Sequence, residues 1–97
     1  MKFLVTYSIH PEKRHQALQA FSQMTQADDQ ADVGKHITVI GRWHVVGGGN
    51  GLAIVETTDA QALASWALNW NHIMDIDVKP VLDDEEARTV GKQKLGQ

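Results

Sequence analysis

Residues 36–57 read HITVIGRWHVVGGGNGLAIVET. The run His36–Val46 is rich in β-branched and aromatic residues, and Leu52–Thr57 in β-branched ones; both have strand composition. Between them Gly47-Gly48-Gly49-Asn50-Gly51 has the composition of a hairpin connection, so the two strands pair antiparallel. In the first strand Ile37, Val39, Gly41, Trp43 and Val45 alternate with His36, Thr38, Ile40, Arg42, His44 and Val46. Gly41 inside the run marks a bulge, which shifts the facing of everything after it. A phosphate cradle needs glycines that lead into a helix N-terminus. These lead into a strand, so they serve the turn.

Outward from this hairpin the period changes twice. Upstream, Lys2–Ile9 alternates Phe3, Val5, Tyr7 and Ile9 with Lys2, Leu4, Thr6 and Ser8, a strand with one strongly apolar face. Pro11 suits the first turn of a helix, and Glu12 suits its positive end. From there to about Ala27, the residues Ala17, Leu18, Phe21 and Met24 recur at helical spacing. Asp28–Lys35 is polar, contains Gly34 and reads as a link. Downstream, Asp59 is a good N-cap for a helix ending near Asn71, with Leu63, Trp66, Ala67 and Trp70 on one face. His72–Leu82 carries a last strand, with Ile76, Val78 and Pro80 opposite Asp75, Asp77 and Lys79; Pro80 places it at an edge or near the strand end. Asp83–Glu86 starts a short terminal helix. The expected organisation is one domain over residues 1–88 and a flexible tail over 89–97. The expected fold class is α+β, in the ferredoxin-like order β-α-β-β-α-β, with a four-stranded antiparallel sheet and two helices on one face.

Composition removes several functions. The 97 residues include no Cys, which excludes a disulfide scaffold, a thiol nucleophile and a Cys-ligated zinc site. Nine Lys and Arg stand against twelve Asp and Glu, with no basic stripe, so nucleic acid is not an expected partner. The N-terminus turns polar at Thr6 and lacks a signal-peptide core, and no apolar run approaches the ~20 residues that span a bilayer. A soluble cytoplasmic protein is expected, without a membrane partner.

Gly41-Arg42-Trp43-His44, the glycine loop, Ile54-Val55-Glu56, Leu63 with Trp66 and Trp70, and Val78-Lys79-Pro80-Val81-Leu82-Asp83-Asp84-Glu85-Glu86 resemble the domain of unknown function 3303 family. The resemblance runs from Lys2 to about Ala87. The Trp-x3-Trp helix and the Pro80–Glu86 end are its more specific motifs. It implies the dimeric α+β barrel arrangement, in which two ferredoxin-like subunits set their open sheet faces together. Relatives of that barrel include cofactor-independent monooxygenases, lactone isomerases, haem enzymes and small-molecule sensor domains. The family has no established activity, so the resemblance implies a fold and an assembly but no reaction. The face opposite the helices carries Leu4, Ile40 and Val46, plus either Ala53 and Val55 or Leu52 and Ile54. It is a candidate homodimer interface.

The candidate site lies between sheet and helices. Tyr7, Trp43, Trp66 and Trp70 are expected to bound a pocket for a flat, partly apolar ligand; the competing reading of these aromatics is plain core packing. Arg42, His44 and Glu56 are its polar anchors, and His44 or Glu56 would meet the indole N–H groups. In an alternative reading the same three are catalytic: His44 beside Glu56 as a base near neutral pH, Arg42 fixing a carboxylate or an enolate. That enzyme would be a monooxygenase or isomerase without a bound cofactor. Their competing reading is a polar, hydrogen-bonded lining. No metal site is expected, since no His-x-His strand pair and no His-Glu-x-x-His helix occurs. Asp75 and Asp77 share a face but read as solvent-exposed. A filled core with no cavity would make the chain an interaction module.

Overall fold

The computed structural model describes residues 1–96, and these form an α+β architecture around one antiparallel sheet. Its strands are β1 (Lys2–Ile9), β2 (Thr38–Val45), β3 (Asn50–Glu56) and β4 (Met74–Val81), in spatial order β2-β3-β1-β4. The register pairs Val5 with Ala53 and Val78, and Tyr7 with Gly51 and Ile76. Phe3, Val5, Tyr7, Ala53, Val55, Ile76 and Val78 therefore share one face, and Leu4, Thr6, Leu52 and Ile54 the other.

The first face is covered. Helix α3 (Ala60–Trp70) starts where Asp59 caps it by accepting from the Ala62 N–H at 3.0 Å. It buries Leu63 and Trp66 against Val5, Ala53 and Val55. Val33 and Ile37 complete this core, and Phe3, Trp70, Ile76 and Val78 pack at its margin. Burying each such side chain stabilises by about 1.5–3 kcal/mol.

The single helix expected up to Ala27 is two. A 3-10 turn at Pro11–Lys13 leads into α1 (Arg14–Ser22), the chain breaks at Gln23–Met24, and α2 (Gln26–Val33) follows. The reason is a capping box: Thr25 Oγ1 accepts from the Asp28 N–H, and Asp28 Oδ2 accepts from the Thr25 N–H. Residues 28–35, expected as a link, thus carry most of a helix. It stops at Gly34, whose φ of +86° suits glycine.

Helix α4 (Asp84–Lys94) is longer than the short terminal helix expected. A second capping box, Asp83 with Glu86, opens it, and Lys92 and Lys94 close it at the negative end. Residues 89–94 of the expected tail are its second half. Every α4 residue except Gly91 is solvent-exposed. The radius of gyration is 15.6 Å, where a compact chain of this length would have roughly 12–13 Å. Among the described residues no helix is long and apolar enough to cross a membrane.

Candidate functional site

Two backbone features build the site. The first is the bulge. The β2–β3 register runs Val39 to Val55, then Gly41 to Ile54 and Arg42 to Ala53, so one extra residue, Ile40, is accommodated in β2. Without it Trp43 would share the facing of Val39, toward the helices. With it Arg42 and His44 face the helices and Trp43 faces away. Trp43 is 62 % exposed, and its ring folds back over Gly41, where a Cβ would meet it at 2.2 Å.

The second is Gly51 in β3, which stands between Tyr7 of β1 and His44 of β2. A Cβ there would meet the Tyr7 ring and hydroxyl at 2.7 Å and the Trp43 carbonyl at 2.5 Å. The bare glycine lets Tyr7 lie across β3 and bring its Oη to 2.5 Å from His44 Nδ1. Phe21 of α1 flanks the His44 ring at 4.9 Å between centroids, and the Arg42 guanidinium lies over Phe21 at 5.8 Å.

Electrostatics fix the protons. Partial burial, then the Arg42 charge, pushes His44 below its ordinary 6.5, against the opposing pull of Asp29. Burial pushes Tyr7 above its ordinary 10.0, with Arg42 opposing. At neutral pH the imidazole is neutral and the phenol protonated. The Tyr7 hydroxyl has no other acceptor among the described residues, so it donates to Nδ1 and the His44 proton sits on Nε2.

Helix α2 supplies two carboxylates. Asp29 Oδ1 lies 3.4 Å from Arg42 Nη2, an ion pair without a hydrogen bond: that oxygen is closed to solvent and has no hydrogen-bond partner among the described residues. Asp32 accepts from the Trp66 indole N–H at 3.0 Å, from the Trp70 indole N–H at 2.9 and 3.0 Å, and from the Asn69 amide. One carboxylate thus ties α2 to three residues of α3 and sets the edges of both indoles.

Above these groups α1, α2 and α3 leave a cavity of about 540 Å³ over the sheet. Tyr7, Arg42, His44, Trp66 and Trp70 all line it. Leu18, Phe21, Met74, Ile76 and Val78 make most of the remaining wall apolar, and Arg14 reaches it beside Gly49.

Two expected pocket residues are corrected. Trp43 borders a shallow depression on the open face instead, with Thr6, Ser8, Asp75 and Asp77, because the bulge turns it there. Glu56 also points to the open face, one position beyond the core residue Val55, and pairs with Lys2 at 3.7 Å. His44 therefore has Tyr7 as its partner and not Glu56, and the indoles have Asp32. Asp29 and Asp32 were hidden in the apparent link; the Thr25-x-x-Asp28 pattern was the signal that would have placed them on a helix. No group of His, Asp and Glu suited to a metal ion occurs among the described residues. His10 instead meets the exposed Asp75 at 3.1 Å.

Comparison with known proteins gives one family. Its description is Domain of unknown function (DUF3303), and its profile matches residues 1–95. No curated protein matches the chain.

Proposed function

Because the chain belongs to the domain of unknown function 3303 family, whose description carries no reaction, its activity must be argued from its cavity, and we propose that it binds a small, partly apolar molecule between sheet and helices. The observation that supports this is the cavity of about 540 Å³, within the usual range of ligand sites, with Tyr7, Trp66 and Trp70 in its wall and a few polar groups on one side. A filled core would leave no such space. The test is calorimetric titration with 2-naphthylmethanol, a flat neutral probe. Saturable binding of one molecule per chain is expected, and Ala67→Phe, which fills the cavity from α3, removes it. No binding to the unsubstituted protein would overturn the reading.

The assembly belongs to the same proposal. The strand order β2-β3-β1-β4 with helices on one face supports a ferredoxin-like subunit. Trp43, Val45 and Ile40 expose apolar surface at and beside the open face, 62, 57 and 54 % respectively. A second copy would cover them, open face to open face, in a cytoplasmic homodimeric α+β barrel.

One observation favours the enzymatic alternative, a monooxygenase or isomerase without a bound cofactor. The Tyr7–His44 pair faces the cavity and is placed to relay a proton. A substrate proton would pass to Tyr7 Oη as the Tyr7 proton passes to His44 Nδ1, while Arg42 holds the resulting anion. Turnover of an acidic phenol that His44→Ala abolishes, with folding intact, would establish it.

A further inference from the structure

Resting on the ligand-binding reading, we infer that the cavity selects a monoanionic carboxylate carried on a flat apolar body. The hydrogen-bonding groups around the cavity are unevenly spent. Both carboxylates at the cavity are already engaged. Asp32 accepts two indole N–H groups and an amide, and Asp29 is ion-paired with Arg42 through an Oδ1 that is closed to solvent. Three donor side chains remain for a ligand. His44 has Nε2–H, since its Nδ1 is taken by Tyr7. Arg42 has guanidinium N–H groups beyond the one aimed at Asp29, and Arg14 has no acidic partner among the described residues. The acceptors that stand against them include the Tyr7 oxygen and Asp29, whose charge the Arg42 guanidinium already neutralises.

The donors are also grouped. Arg42 and His44 stand on β2, one edge of the sheet, and Arg14 lies against Gly49 just beyond it. The far wall comes from β4, the opposite edge, through Met74, Ile76 and Val78, with both indoles from α3 above. An anionic head at β2 and a flat body toward β4 match this polarity. A carboxylate offers lone pairs only and satisfies several donors at once. An alcohol brings a donor of its own to a wall already rich in donors, and an ammonium would meet the Arg14 guanidinium, which no carboxylate among the described residues neutralises.

The test compares 2-naphthoate with 2-naphthylmethanol, of nearly equal shape, by calorimetry at neutral pH on the full chain. A charge-assisted hydrogen bond adds enough to expect the carboxylate to bind about tenfold tighter or more. In Arg14→Gln and Arg42→Gln this preference shrinks. Equal affinity for the two probes would overturn the inference while leaving the cavity reading intact. Binding of neither would overturn both. A preference unchanged in both variants would show that these guanidinium groups do not recognise the head group.

Discussion

The Tyr7 hydroxyl and His44 Nδ1 meet across a strand that belongs to neither residue, and Gly51 is the position they meet over. β1 and β2 are not neighbours; β3 separates them. Only a residue without a side chain leaves room for a phenol to cross a strand on the buried face. The contact that gives the cavity its donor therefore depends on a glycine that looks, in the sequence, like the end of a flexible loop.

The first prediction concerns that glycine. Gly51→Ala puts a Cβ 2.5 Å from the Trp43 carbonyl and 2.7 Å from Tyr7. A backbone oxygen in the sheet cannot retreat as a side chain can, so the cost is about 1–3 kcal/mol. Urea unfolding measures it. Unchanged stability would show that β2 and β3 separate freely here.

The second concerns pH. His44 is held below its ordinary 6.5, so the folded state resists protonation more than the unfolded chain does. Its contribution to stability is complete above about pH 6.5, the ordinary histidine value, and is lost as pH falls through the lower folded value. Unfolding midpoints measured between pH 7.5 and 5 should fall less in His44→Gln than in the unsubstituted protein. Parallel declines would remove His44 from the account.

The third isolates Asp32. Asp32→Ala strands the indole N–H of the buried Trp66 and that of Trp70 without an acceptor. Each unsatisfied buried donor costs about 1–3 kcal/mol, and Trp70 is only half-buried, so a total of about 2–4 kcal/mol is expected. Asp32→Asn, which keeps one acceptor oxygen, should lose less. Denaturation curves followed by tryptophan emission report both the stability and the indole environment.

The fourth tests the assembly. In sedimentation equilibrium at micromolar concentration the protein should weigh two copies, and Trp43→Glu should weigh one. Trp43 lies outside the cavity, so 2-naphthylmethanol provides an independent check that the variant is folded. A single-copy mass for the unsubstituted protein would remove the dimer.

Much of this was legible in the sequence. Alternation exposed β1, β2 and β4, since a half-buried sheet writes its period into the chain, and composition after the glycine turn exposed β3. Asp59 and the Leu63–Trp66–Trp70 stripe exposed α3. Gly41 announced a bulge, and the register shift there is what turns Arg42 and His44 inward. What the alternation of side chains forbids is that Trp43 should join them, because neighbours on a strand face opposite ways. Helix α2 was concealed by its composition: of its eight residues only Ala27, Ala31 and Val33 are apolar, and it is held by a capping box and by Asp32. The role of Asp32 needs two helices already side by side, and that of Gly51 needs the register of three strands. Both are products of long-range pairing, which no local pattern encodes.

Helix α4 carries its own caps and buries nothing, while Lys2 holds its entrance through ion pairs to Asp83 and Glu86. With it the molecule measures 52 Å against 28 and 19 Å in the other directions. Friction follows length more than mass in such a shape. One copy drifting through a porous matrix would elute early, in the guise of something heavier. Counting subunits of this protein is thus a matter for weighing, and column elution alone would overcount them.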